Sequence, residues 1–172
     1  DHAEALLGDG GAIEVLDECI GRVLARPVIT DDDYPAFDKS MMDGFAVRSA
    51  DCAASGSRLR IRGLIVAGRS ADTPIGRGEA MQINTGAPIP AGADAVVRIE
   101  DCEVESDCVS LRVAVTAGKN ISRQGSDRRK GDVILTPPLR VGAAQIAAAA
   151  TAGAATLEVA KHVQVALVST GD

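Results

Sequence analysis

Between residues 11 and 26 the apolar positions Ile13, Leu16, Ile20, Val23 and Leu24 recur at helical spacing, and Glu14, Asp17, Glu18 and Arg22 fill the other side. The pattern predicts a helix from Gly11 to Arg26 ended by Pro27, with acidic residues early and Arg22 and Arg26 late, as the helix dipole favours. From Asp31 to Gly44 the periodicity stops, and three consecutive aspartates, Pro35 and Gly44 read as loop. Short apolar runs follow, separated by Gly and Pro turns. They are Phe45 to Arg48, Arg58 to Val66, Ala80 to Asn84, Ala95 to Ile99 and Val109 to Val115. The second alternates, with Leu59 and Ile61 on the apolar face and Leu64 as a further candidate for it. Strands this short and this closely spaced predict a β-rich unit, barrel-like or sandwich-like.

Gly131 to Val133 reads as a turn into another strand. Val141 to Ala152 reads as an alanine-rich helix closed by Gly153. It is apolar nearly all round, so it is expected to be buried against another helix or a subunit. Thr156 to Val159 and Val163 to Val168 read as strands, the second a continuous apolar run of the kind buried in parallel sheets. Such a strand needs neighbours, so the last ten residues are expected to open a further α/β domain. The expected class is therefore α+β and multidomain: an elongated helix-containing domain, an inserted β-rich domain, and the first strand of a truncated α/β domain.

Composition narrows the function. Of 172 residues 46% are hydrophobic, too many for a disordered chain, yet aromatics make up only 2%: Tyr34, Phe37 and Phe45. Three clustered rings cannot form the stacking platform of a single-strand nucleic-acid binder. The net charge of -6 repels phosphate backbones, although Arg123, Arg128, Arg129 and Lys130 could hold a small anion. The longest weakly polar run, Val141 to Ala155, falls short of the roughly 20 apolar residues of a membrane span. No signal peptide is expected from the opening residues, and the start at Asp1 rather than Met leaves room for residues upstream. Neither nucleic acid nor membrane is expected as a partner. Cys19, Cys52, Cys102 and Cys108 form no CxxC pair, and His2 and His162 lie far apart, so structural zinc is disfavoured. Only Cys102 with Cys108 offers a disulfide spacing. Reduced thiols in the cytoplasm are the simpler reading.

Four loop segments could carry chemistry. Pro35 to Arg48 contains Asp43-Gly44, a turn that holds a carboxylate suited to a magnesium ion or an oriented water. Asn84 to Val97 contains Thr85-Gly86, where glycine lets a ligand approach the backbone beside a hydroxyl. Arg123 to Asp132 is basic with Asp127 inside it, a pattern for phosphate beside a metal. Ser169-Thr170-Gly171-Asp172 follows an expected buried strand, where ligands of α/β sheets bind. Each also reads as an ordinary turn, a Pro-rich connection or a solvated charge run.

Together, in this order, they are more specific. Gly21-Arg22-Val23-Leu24-Ala25, Pro35 to Arg48, Thr85 to Val97 with Glu100, Gly125 to Asp132 and Ser169 to Asp172 resemble the MoeA/gephyrin E-domain family, the molybdopterin molybdenumtransferases of molybdenum cofactor synthesis. The stretch Ser40-Met41-Met42-Asp43-Gly44-Phe45-Ala46-Val47-Arg48 is the most specific, followed by Thr85-Gly86-Ala87-Pro88. The resemblance implies an elongated homodimer in the cytoplasm. Residues 1–29 and 131–160 would form one elongated domain, residues 30–130 an inserted β-rich domain, and residues 163–172 the start of the α/β domain that binds molybdopterin. By this analogy the chain is less than half of a family member.

The implied reaction takes adenylylated molybdopterin and molybdate, releases AMP with Mg²⁺ and places molybdenum on the dithiolene. The cleft would lie between the α/β domain of one subunit and the β-rich domain of the other. Carried over by position, Asp43, Thr85 and Asp127 match residues important for activity. Ser40, Gly44, Gly86, Ser169, Thr170, Gly171 and Asp172 match substrate-binding positions. Members commonly have Arg where Ser122 stands and Glu where Ser126 stands. Those two departures leave a rival reading, a non-catalytic binding or dimerisation scaffold.

Overall fold

The computed structural model describes residues 11–69, 73–162 and 165–171. Among them the chain is mostly β-strand with one α-helix, and it divides into two compact units. One is built from residues up to Asp32 together with Arg128 onward, the other from Asp33–Asp127.

The first unit is stitched from both ends of the chain. Strands β1 (Ala12–Val15), β2 (Val23–Leu24), β13 (Leu139–Arg140) and β14 (Thr156–Val159) form a four-stranded sheet in the order β1-β14-β2-β13. β3 (Val28–Ile29) pairs antiparallel with β12 (Val133–Leu135). The helix expected over 11–26 is absent. Ala12–Val15 is a strand whose four residues pair in register with Val159 to Thr156, and Leu16–Cys19 forms a single 3-10 turn. Gly21 then adopts φ +82°, which ends any helical path. A pattern of four or five apolar positions with β-branched residues fits a strand and a turn as well as a helix, and the partner strand decides between them.

Helix α1 (Ala143–Thr151) forms where expected, with Gly153 at φ +92° closing it. The Gln145 side chain accepts the Gly142 N–H at 3.1 Å, satisfying a donor at the helix entry. Only Ala149 is fully buried, while Ala143, Ala144, Ala147 and Ala150 are exposed. The expectation of burial all round therefore fails within this chain: alanine is short, and one stripe suffices to reach the core of Cys19, Leu24, Val28, Val141, Leu157 and Val159. Thr30, the one buried hydroxyl of this unit among the described residues, donates to the Arg129 carbonyl at 2.7 Å. The expected strand from Val163 to Val168 is not seen either. Residues 165–171 hold no regular structure, and Val165, Leu167 and Val168 are 77%, 95% and 81% exposed. A strand without a hydrogen-bonding neighbour has nothing to hold it extended. Val163 and Gln164 lie outside the described residues.

The second unit is a six-stranded mixed sheet. Its strands are β5 (Gly44–Val47), β6 (Arg58–Ile65), β7 (Glu79–Ile83), β8 (Ala95–Arg98), β9 (Cys102–Glu105) and β10 (Cys108–Leu111), in the order β8-β5-β7-β6-β10-β9. All pairs are antiparallel except β6 with β7. Every residue of β5 is buried, because separate apolar clusters flank it. Phe45 and Val47 belong to one with Leu59, Val97 and Val109; Ala46 belongs to another with Met81, Ile83 and Val96. β6 carries a register shift between Ile61 and Leu64, with Gly63 inside it. Beyond the bulge Leu64 is 55% exposed and Ile65 is 2% exposed. Leu64, expected with Leu59 and Ile61 on the apolar face, joins neither apolar cluster: the shifted register pairs it with Gln82 and pairs Ile65 with Ile83.

The edge of β8 is covered by the segment leading to β11 (Ile121–Ser122): the Val96 N–H donates to the Lys119 carbonyl and the Asn120 amide donates to the Val96 carbonyl. Cys102 sits opposite Leu111 and Cys108 opposite Glu105, so the β9–β10 register does not oppose the two thiols, and they are not joined in a disulfide. Among the described residues no helix is long and apolar enough to cross a membrane.

Candidate functional site

In the second unit, β4 (Lys39–Ser40) joins two of the four segments singled out from the sequence to the strand that leads into a third. On one side it pairs antiparallel with β11, Ser40 opposite Ile121 and Ser122 opposite Lys39. On the other side the Ser40 N–H donates to the Ala87 carbonyl, the Gly86 N–H donates to the Ser40 carbonyl, each at 2.9 Å, and Lys39 bridges to Pro88. Ser40 is thus a backbone hub, 1% exposed. Its hydroxyl donates to the Met42 carbonyl at 2.6 Å and accepts the Met42 N–H at 3.2 Å. That local turn shapes the chain just ahead of Asp43.

Asp43 is exposed, and its Oδ1 accepts the Thr85 N–H at 2.7 Å. The carboxylate anchors the backbone of Thr85, whose side chain is exposed beside it. Gly86 follows at φ +81°, a conformation that lets the turn double back onto Ser40. Gly44 has a different reason to be glycine. A Cβ there would lie 1.8 Å from the Val97 carbonyl oxygen, so β5 and β8 approach closely only without a side chain at that point.

Asp127 is exposed on the third segment. Its N–H donates to the Tyr34 carbonyl at 3.1 Å, and the Gly125 N–H donates to the Pro35 carbonyl at 3.0 Å. The Ser126 hydroxyl donates to Asp127 Oδ1 at 3.1 Å and lies 3.2 Å from the Ser122 hydroxyl, so the two serines share a short hydrogen-bonded chain that ends on the carboxylate. The basic cluster is not a free patch. Arg123 is engaged by Asp38 through Nη1, and Arg128, Arg129 and Lys130 fall in the other unit. Ser169, Thr170 and Gly171 also belong to that unit, exposed and without regular structure; Asp172 lies outside the described residues.

Two carboxylates that the motif reading did not single out hold this unit in shape. Asp38 Oδ1 accepts the Gln124 N–H at 2.8 Å; this bond, with Arg123 beside it and against a burial cost, draws the Asp38 carboxyl below its ordinary range. Burial alone would raise the Asp94 carboxyl, but it accepts both the N–H and the hydroxyl of Ser49, at 2.6 and 2.7 Å, and its net shift is downward. Asp38 stood inside the quoted Pro35 to Arg48 segment, but nothing local tells a clamp from a ligand.

The model of the MoeA N-terminal region, domains I and II, matches residues 3–153. The chain belongs to the MoeA family. It is 36% identical over 160 residues to a molybdopterin molybdenumtransferase of Staphylococcus epidermidis, covering 91% of this chain and 38% of that protein. The Staphylococcus aureus Mu50 protein of the same name is 37% identical with the same coverage. The crystal structure of the molybdopterin biosynthesis MoeA protein from Pyrococcus horikoshii OT3 superposes with a TM-score of 0.81 at 30% identity, covering 92% of this chain and 44% of that one. The chain therefore spans little more than a third of the length of these curated relatives.

Magnesium would find only part of a site here. Among the described residues no group of three or more His, Cys, Asp or Glu side chains converges. A single carboxylate suits a magnesium ion that keeps its waters and takes its other oxygens from a substrate phosphate. Among the described residues Asp43, exposed and with Oδ1 held on Thr85, is a carboxylate of that kind.

Proposed function

We propose that this chain supplies the N-terminal part of a molybdopterin molybdenumtransferase, contributing Asp43, Thr85 and Asp127 to the cleft in which adenylylated molybdopterin loses AMP and molybdate is inserted. The Asp33–Asp127 unit is read as the inserted β-rich domain, the other unit as the elongated domain, and the working state as a cytoplasmic homodimer. The observation that carries the reading is the Asp43–Thr85 clamp on a β4 hub that also holds the segment leading to Asp127. It sits in a chain whose relatives bear the transferase name.

Cleaving a phosphoanhydride needs charge neutralisation and an oriented water rather than a protein nucleophile. A magnesium ion, when bound, would offset phosphate charge. Asp43 would orient it or a water through its second oxygen, while its first fixes the Thr85 backbone. The Thr85 hydroxyl can donate to a phosphate oxygen. Asp127, which accepts the Ser126 hydroxyl on Oδ1, would accept a hydrogen bond from a water through its other oxygen.

The deciding experiment is AMP release from adenylylated molybdopterin and molybdate by the full-length protein that contains this chain. Asp43→Ala is expected to lower the rate at least a hundredfold. An unchanged rate would remove the catalytic role and favour the scaffold reading, to which the paired Ser122 and Ser126 would then belong.

A further inference from the structure

The three exposed groups of the candidate site ride on three different segments, and one residue touches the scaffolding of all of them. Asp38 lies two residues before Ser40 and begins the path to Asp43. Its carbonyl accepts the Ile89 N–H at 2.9 Å, on the loop that carries Thr85. Its carboxylate reaches the third segment twice, accepting the Gln124 N–H on Oδ1 at 2.8 Å and the Arg123 guanidinium on Oδ2. We propose that Asp38 is a positioning residue, whose carboxylate sets where the Asp127 segment stands against the segments of Asp43 and Thr85. This inference rests on the function proposed above.

The physical case is that a short row of hydrogen bonds, and not apolar packing, holds the segment. From Arg123 to Asp127 only Gly125 is buried, so apolar packing contributes almost nothing there. What remains is a row of hydrogen bonds to residues 33–38: Gln124 Nε2 to Asp33, the Gly125 N–H to Pro35 and the Asp127 N–H to Tyr34. Beside this row, Asp38 joins one carboxylate to both a backbone N–H and a guanidinium, and bonds to a charged acceptor, the Gln124–Asp33 bond included, are about twice as strong as neutral ones. The carboxylate fixes Gln124 in two ways, directly through its amide and through its neighbour Arg123. Asp127 lies three residues beyond. The side chain need not meet substrate to matter, since a displacement of about 1 Å at a reacting group can cost on the order of a hundredfold in rate.

Shape and charge can be separated by substitution. Asp38→Asn keeps the length and an acceptor for the Gln124 N–H; Asp38→Glu keeps the charge but pushes it one methylene further; Asp38→Ala removes both. Amide hydrogen exchange on the 172-residue chain reads the position of the segment. Asp38→Ala is expected to speed exchange at Gln124, Gly125 and Asp127 at least tenfold while Phe45 and Val97 in the sheet stay within twofold. Asp38→Asn should stay closer to the parent than Asp38→Glu. In the full-length protein AMP release should fall in the same order, Asn least, with kcat affected more than KM. Unchanged exchange at the three amides, acceleration spread equally through β5 and β8, or Glu rescuing better than Asn would overturn the assignment. Should the parent protein release no AMP at all, the function reading fails, while the exchange data still decide whether Asp38 positions the segment.

Discussion

Gly44 and Gly86 show how one residue type answers two physical demands. At Gly44 the demand is space, since a Cβ would meet the Val97 carbonyl at 1.8 Å inside the β5–β8 pair. At Gly86 nothing lies within 4 Å, and the demand is φ +81°. Gly44→Ala should therefore destabilise the unit by roughly 3 kcal/mol, the upper end for overpacking. Gly86→Ala should cost about 1–2 kcal/mol, the penalty of the left-handed conformation alone. Urea unfolding of the two variants, followed by circular dichroism, tests the ranking. Asp94 carries a pH prediction at the same scale. Its folded carboxyl ionises below its unfolded value, so the stability it adds is complete above the unfolded value of about 4 and drains away as pH falls through the folded one. Unfolding midpoints should drop between about pH 5 and pH 3, more steeply for the parent than for Asp94→Asn. An equal slope in both would remove Asp94 as a source of acid sensitivity.

Among the elements, β6 and α1 make the sharpest cases. The bulge between Ile61 and Leu64 inverts the faces of the strand's last two residues. Leu64→Lys should change stability by no more than about 0.5 kcal/mol, as an ordinary surface substitution does. Ile65→Ala should cost about 2–4 kcal/mol, because it opens a cavity beside Met81 and Ile83. Thermal denaturation of the pair checks which residue faces the core, and a larger loss from Leu64→Lys would refute the bulge. In α1, Gln145→Ala should weaken the helix by about 0.5–1 kcal/mol through the lost contact with the Gly142 N–H.

For the molecule as a whole, the consequential fact is how chain order maps onto the two units. Asp33–Asp127 is contiguous and holds two apolar clusters of its own, so residues 33–127 expressed alone should fold and give a dispersed amide spectrum. The other unit pairs β1 with β14, β2 with β13 and β3 with β12, and each pair joins residues before 33 to residues after 127. Residues 11–32 alone should be unstructured, since none of their strands has a partner within that stretch. A collapsed spectrum from 33–127 would refute the first expectation, and regular structure in the short peptide the second.

Much of this protein was legible in its sequence, and the rest was not for identifiable reasons. Strands β5, β7, β8 and β14 and helix α1 announce themselves, because each is a local apolar run that starts within three residues of a glycine. The motif order around Asp43, Thr85 and Asp127 was likewise enough to recognise the family. Where the outcome depended on a distant partner, the local pattern misled. Ala12–Val15 is a strand because β14, over 140 residues away, hydrogen-bonds to it, and 165–171 is not one for want of a neighbour. The grouping of three loops around Ser40, and the Asp38 carboxylate that ties them, exist only once the chain has folded. Side-chain type is written in the sequence, but which N–H a carboxylate meets is set by strand pairing. Pairing is a tertiary property, because each ladder needs two segments to close the distance between them.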